Sequence, residues 1–194
     1  MLIHLIALAV ATLPSAALAH HLMDGATPGS IWQGFSSGVG HPVIGLDHLA
    51  FVAAMALLAL RTAAPRLMPL AFVAMTVAGT GLHLAGISLP GSEAVIALSV
   101  VAVGVLAIAG MRLPVPAAAL LFGVAGLFHG YAYGESIVGA EPSPLIAYLI
   151  GFAAMQTAIA WGIQIVADGS PRVADWMRVA GGIATGVGVM ALAG

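Results

Sequence analysis

The chain is 194 residues long and carries 5 basic and 7 acidic side chains, so 6% of it is charged, against about 25% in a soluble domain. Hydrophobic residues make up 61%, mean hydropathy is +1.12 and the net charge is −2, which excludes a soluble enzyme, a disordered tail and a nucleic-acid binder with its basic face. Cysteine is absent, so disulfides, thiolate-bound zinc, iron–sulfur clusters and thiol catalysis are excluded together. What remains is an all-α integral membrane protein of the lipid bilayer, whose few polar residues carry its chemistry.

Residues 1–19 hold an apolar stretch, Pro14 near its end, and Ala17-Leu18-Ala19, the small-x-small pattern of a signal-peptidase site. A positive leader is missing, so any charge there comes from His4 and the amino terminus. Cleavage after Ala19 is the expectation, and the alternative is an uncleaved first helix. The mature chain would then begin His20-His21, where a free α-amine beside an imidazole can chelate a transition metal.

Residues 20–194 form one domain. Apolar stretches run at 41–60, 67–87, 93–110, 114–133, 143–167 and 174–194, each near the roughly 20 residues that carry a helix across a bilayer. Arg61 and Arg66 lie in the first break, Arg112 in the third, and Arg172 and Arg178 in or just after the fifth. The positive-inside rule places those three connections in the cytoplasm. The expectation is a bundle of six transmembrane helices after a cleavable signal peptide, amino terminus outside, in the cytoplasmic membrane. Gly126, Gly130 and Gly134 recur at i, i+4, and Gly182 and Gly186 make a second such pair. Spacings of this kind allow close backbone approach, within the bundle or between copies of the chain.

On this topology every histidine beyond the leader falls on the outer side, which points to a shared site. His41 and His48, seven residues apart, would face the same way in one helix to within about 20°. Asp47 adjoins His48 and can bind a metal or accept an imidazole N–H. Pro42 suits a first helical turn, and Gly45 leaves room between the two histidines. An aspartate inside a span costs about 2.5–3.5 kcal/mol to insert, so it needs a partner or a polar pathway. His83, alone in Thr80-Gly81-Leu82-His83-Leu84, reads as a core histidine unless its companions recruit it. His129 and Tyr133 share a helix face at i, i+4, so Tyr133 can bond His129 or line a pore. Glu93 follows Ser92 and fits a capped helix start as well as a pathway. Gln156 reads equally as pathway lining or as interhelical glue, and Glu135 lies in the outer connection after His129.

Imidazole and carboxylate without thiolate suit Ni2+, Co2+ or Zn2+. No Walker A motif is present, so the chain does not hydrolyse ATP by that route. Nor is there a His-Glu-x-x-His pair, and an enzyme is not expected. His41-Pro42-x-x-Gly45-x-Asp47-His48, Leu89-Pro90-x-x-Glu93-x-x-Ile96-Ala97-Leu98-Ser99 and Phe128-His129-Gly130-Tyr131-Ala132 resemble the HupE/UreJ family of nickel/cobalt permeases. The resemblance implies secondary import of Ni2+ or Co2+, often supplying hydrogenase, urease or cobalamin synthesis. It assigns His41, Asp47 and His48 to the metal motif and His129 to the first histidine of a later His-Gly-x-Ala-His-Gly pattern. Tyr133 stands where that pattern has its second histidine, and His83 or Glu135 would have to compensate. The leading expectation is a permease that captures metal at His20, His21 and His41 and passes it by Asp47, His48, His83 and His129. The alternative is a non-transporting metal-binding or sensing subunit that hands metal to a partner.

Overall fold

The computed structural model describes residues 27–194, which contain seven helices and no strand. The expected signal peptide, His20 and His21 lie outside the described residues. The helices are α1 (Ile31–Ile44), α2 (Leu46–Ala59), α3 (Leu67–Leu84), α4 (Ser92–Ile108), α5 (Val115–Glu135), α6 (Pro142–Ala167) and α7 (Val173–Ala193).

The first expected span is not one straight helix. It is an elbow of α1 and α2, bent by 73°, and α1 begins ten residues before His41. Pro42 sits in the last turn of α1 rather than in a first turn. Its missing N–H and its clash with the preceding turn end that helix. Gly45 then takes an extended conformation, φ −69° and ψ 104°, and α2 starts again at Leu46. The start of α1 is closed by reciprocal bonds. Ser30 Oγ accepts from the Gln33 amide at 3.2 Å, and Gln33 Oε1 accepts from the Gly29 amide at 2.9 Å.

α2 is the centre of the bundle. Phe51, Ala54, Met55, Ala56, Leu58 and Ala59 are fully buried, covering every side of the helix, and α2 touches all six other helices. A helix apolar all round belongs in such a place. The outer helices form three close pairs, each fastened through glycine. Gly34 and Gly38 of α1 meet the backbones of Pro144 and Tyr148 of α6, so that pair runs parallel. Gly126 and Gly130 of α5 meet the carbonyls of Phe72 and Thr76 of α3, again in parallel. Gly104 of α4 meets Gly181 of α7 while Gly188 of α7 meets Ala97 of α4, an antiparallel pair. Gly182 and Gly186 make no close contact within the bundle, because both face open space on the outer side of α7.

Among the described residues α3, α5, α6 and α7 are long and apolar enough to cross a membrane, and the elbow makes a fifth span if it counts as one. α4 has 17 residues, about 26 Å at 1.5 Å each, which makes it shorter than any of those four helices and than the elbow taken as one span. Its start also differs from expectation. Gly91, with φ +72°, is the capping residue, and the Ser92 side chain makes no capping bond.

The arginine-bearing connections lie together at one end. Arg61 Nη2 donates to the Gly110 carbonyl at 3.4 Å, tying the α2–α3 link to the α4–α5 link. Arg66 pairs with Asp168 at 3.6 Å and donates to Gln164 Oε1 at 3.3 Å. Gln164 in turn donates to the carbonyls of Ala56 and Pro65 at 3.1 and 2.9 Å. Gln164→Leu would strip these carbonyls of their donor in a buried place, at about 1–3 kcal/mol. The expected result is a clear drop in the melting temperature of the detergent-solubilised protein.

Candidate functional site

At the opposite end from the arginines, the elbow brings its two histidines together in a way a straight helix would not. His41 closes α1 and His48 lies in the first turn of α2, with ring centroids 5.6 Å apart. Gly45 is the residue that lets this happen. A Cβ there would come within 2.7 Å of His48 Cδ2 and 3.3 Å of Asp47 Oδ1, so any larger residue would push the ring and the carboxylate away from the elbow.

α5 supplies the third imidazole. His48 Nδ1 lies 2.6 Å from His129 Nδ1, and both rings are buried. His129 Nε2 lies 3.1 Å from Ser99 Oγ, and that hydroxyl already donates to the Ile96 carbonyl at 2.7 Å. The hydroxyl proton is therefore committed to the carbonyl, and His129 must donate its Nε2–H to Ser99. This places the lone pair of neutral His129 on Nδ1, aimed at His48.

α6 holds the outer ring. Tyr148 hydroxyl lies 3.1 Å from His41 Nδ1 and donates to the Tyr133 carbonyl at 2.9 Å, while Ser136 Oγ lies 3.2 Å from the same His41 nitrogen. Tyr133 stands edge-on to both His41 and His48, each at 4.5 Å between centroids. Phe51 and Phe72 pack on the other side of His129, with centroids 4.8 and 5.8 Å from its ring, and close the cluster toward the interior.

Of the residues singled out in the sequence, His41, His48, His129 and Tyr133 converge. Asp47 is half-buried in the first turn of α2, its carboxylate against Gly45 at the elbow beside the His48 ring. Gln156 is fully buried two turns beyond Tyr148 on α6. His83 is not drawn into the cluster: its ring stands edge-on to Tyr131 at 4.6 Å, its Cβ and ring carbons Cγ and Cδ2 lie against Gly134, and its Nδ1 is buried without a partner. Glu93 and Glu135 are exposed at helix ends. Among the described residues no group of three or more His, Asp or Glu side chains converges closely enough to hold a metal ion.

Sequence reasoning missed Ser99 as the partner of His129, and it missed Tyr148, Thr76 and Gln164 altogether. A signal existed on α6. Tyr148, Phe152, Gln156, Ala160 and Gln164 recur every fourth residue and are all fully buried, so one face of an otherwise apolar helix carries a tyrosine and two amides inward.

A HupE / UreJ protein family model matches residues 8–191, nearly the whole chain. The chain belongs to the HupE/UreJ family. A relative, Protein HupE of Rhizobium leguminosarum bv. viciae, is 36% identical over 149 residues, covering 76% of this chain and 73% of the relative. No solved structure matches it. With its several apolar helices, this HupE/UreJ member is a multi-pass membrane protein.

Proposed function

We propose that the chain is a secondary permease that imports Ni2+ or Co2+ across the cytoplasmic membrane through the buried histidine cluster. The observation that carries this reading is the meeting of His41, His48 and His129 around Tyr133, with the His129 lone pair turned toward His48 by Ser99. Three imidazoles enclosed at one end of an apolar bundle are costly to bury without a use. Imidazole is also the donor that suits these ions. Family membership and the similarity to Protein HupE support the same reading.

In this proposal the arginine-bearing end is cytoplasmic, by the positive-inside rule. The elbow and the five helices after it then make six passes, α4 being the short one. Cargo enters at the elbow end, where His20 and His21 would follow a cleaved leader and make first contact, and it reaches His41 and His48 with Asp47 contributing its negative charge. Two nitrogens sharing an ion at about 2.1 Å stand roughly 3.0–3.4 Å apart. The His48 and His129 nitrogens must therefore separate slightly from their 2.6 Å hydrogen bond when cargo takes the place of the shared proton. Tyr133 and Gln156 line the way beside His129, and His83, Glu93 and Glu135 guard the outer surface. Membrane potential is sufficient as a driving force, since a divalent cation gains about 4.6 kcal/mol per 100 mV.

The absence of a three-donor cage among the described residues favours a relay over tight storage, because conduction needs sites that release. A second reading keeps the same cluster in a non-transporting subunit that passes metal to a partner. It draws on the apolar inner half, where Phe72, Phe122, Met55 and Ala160 are fully buried. The deciding measurement is uptake of radiolabelled nickel and cobalt in metal-starved cells expressing the chain. Saturable accumulation is expected. Binding by the purified protein without accumulation would remove the permease reading and leave the subunit.

A further inference from the structure

We propose that the arginine-bearing end holds a phosphate site of its own, a cleft in which Arg61 and Arg178 take the headgroup of an anionic membrane phospholipid. The cleft is separate from the histidine cluster, and its occupancy does not depend on cargo movement.

A cavity of about 200 Å³ lies where α2 and α4 end and α7 begins. Arg61 lines it from the link after α2, Ile108 and Gly110 from the end of α4, and Ala174, Met177 and Arg178 from the first two turns of α7. The lining therefore carries two guanidinium groups and no acidic side chain.

Arg61 is poorly served by the protein around it. Its side chain is partly buried, and its Nε is buried with no hydrogen-bond partner. The bond from its Nη2 to the Gly110 carbonyl is long, at 3.4 Å. Among the described residues the ion pairs are those of Arg66 with Asp168 and of Arg178 with Asp175, so no carboxylate reaches Arg61. A guanidinium keeps its charge and presents five donors in a planar fork. An unmet, buried donor on such a group calls for an anion with several oxygens, which is what a phosphate offers. Arg178 is the second hold. Its Nη1 lies 2.9 Å from Asp175 Oδ1, but that pair is mostly exposed, where ion pairs are weak, and the rest of its fork has donors to give. Ala174 adds the first turn of α7, whose amides favour an anion and whose capping residue, Arg172, makes no side-chain capping bond.

Position and size choose the kind of phosphate. The cleft sits at the ends of apolar helices, the level of lipid headgroups, and basic pockets between helices at that level are where anionic headgroups settle. Ile108 on its rim is exposed, as is Val105 one turn back on α4, so an apolar track leads from the cleft along the helix for an acyl chain. The volume falls below the roughly 300–1,000 Å³ of clefts that enclose drug-sized molecules. It admits a headgroup phosphate and excludes a whole nucleotide. A lipid seated there would tie the α2–α3 link, the α4–α5 link and the start of α7 together.

The test titrates the full-length protein in detergent with phosphatidylglycerol, with phosphatidylcholine and with inorganic phosphate, counting bound molecules by native mass spectrometry. Wild type is expected to bind one phosphatidylglycerol about tenfold more tightly than phosphatidylcholine, and Arg61→Gln to bring the two within about twofold. Arg178→Gln should lower phosphatidylglycerol affinity by about threefold or more. Arg112→Gln removes the same charge from an exposed position outside the cavity and should leave the preference unchanged. If Arg61→Gln yields no folded protein, Arg61→Lys replaces it: the charge stays, the fork goes, and most of the preference should go with it. Equal binding of the two lipids by wild type overturns the site. So does a preference that survives in the Arg61 and Arg178 variants, or one that Arg112→Gln abolishes as well. Inorganic phosphate held through Arg61 without any lipid preference overturns the lipid as occupant and makes the cleft a site for a soluble phosphoryl compound. Each of these results leaves the permease reading standing, and absent metal uptake leaves the lipid result standing.

Discussion

His48→Ala is expected to lower nickel and cobalt uptake by about 100-fold or more at matched membrane levels. His48 is the middle ring of the cluster: its Nδ1 is 2.6 Å from His129 and its ring centroid is 5.6 Å from His41. Removing it separates the outer imidazole from the inner one and leaves His129 Nδ1 without a neighbour to share an ion. Altering a group that merely orients a ligand commonly costs 10–100-fold in metal affinity, so loss of a bridging ligand should reach at least the upper end. Radiolabelled uptake in metal-starved cells reads the effect directly, and Co2+ titration of the purified variant separates lost binding from lost movement. An uptake rate within a few-fold of wild type would remove the cluster from the path.

The second large effect is structural. Gly130→Val should destabilise the fold by roughly 1–3 kcal/mol or more, the range for overpacking where the backbone must shift. A Cβ at this position would land on the Thr76 carbonyl, which is helix backbone and cannot step aside. Separating α3 from α5 would also break the 2.8 Å bond from Thr80 Oγ1 to the Gly130 carbonyl and displace His129, the adjacent residue. Thermal unfolding in detergent should show a lower midpoint and a smaller yield of monodisperse protein. Gly182→Val is the matched control: it points into open space on α7 and should change stability by no more than about 0.5 kcal/mol.

Composition made the all-helical membrane class legible, and Pro, Gly and Arg marked the breaks well. α6, for example, spans Pro142–Ala167 where 143–167 was expected. The elbow was not legible. Seven-residue spacing between His41 and His48 satisfies one continuous helix, and Pro42 is as acceptable in a first turn as in a last one until the chain before it is seen to be helical. The convergence of His48 with His129 was visible only as a shared side of the membrane, because a sequence separation of 81 carries no record of which helices pack. Gly182 and Gly186 show the same limit. Their spacing promises a close contact, but a residue's neighbours decide which face of a helix is inward, and here Gly181 and Gly188 take that role. Ser99 and Thr76 were missed because a hydroxyl in an apolar helix can satisfy itself on its own backbone, as Ser99 does on Ile96 and Thr76 on Val73.

The pairing of α1 with α6 sets the order in which the protein can be made. His41 leaves the ribosome more than a hundred residues before Tyr148, its hydrogen-bond partner, and at about 5–20 residues per second that is an interval of roughly 5–20 s. During that time the elbow must rest in the bilayer without α6 beside it, and for most of it without α5 as well. Ribosome-bound chains ending before Tyr148 would therefore carry the whole first motif and still lack a finished site, which makes assembly of the cluster one of the last events of synthesis.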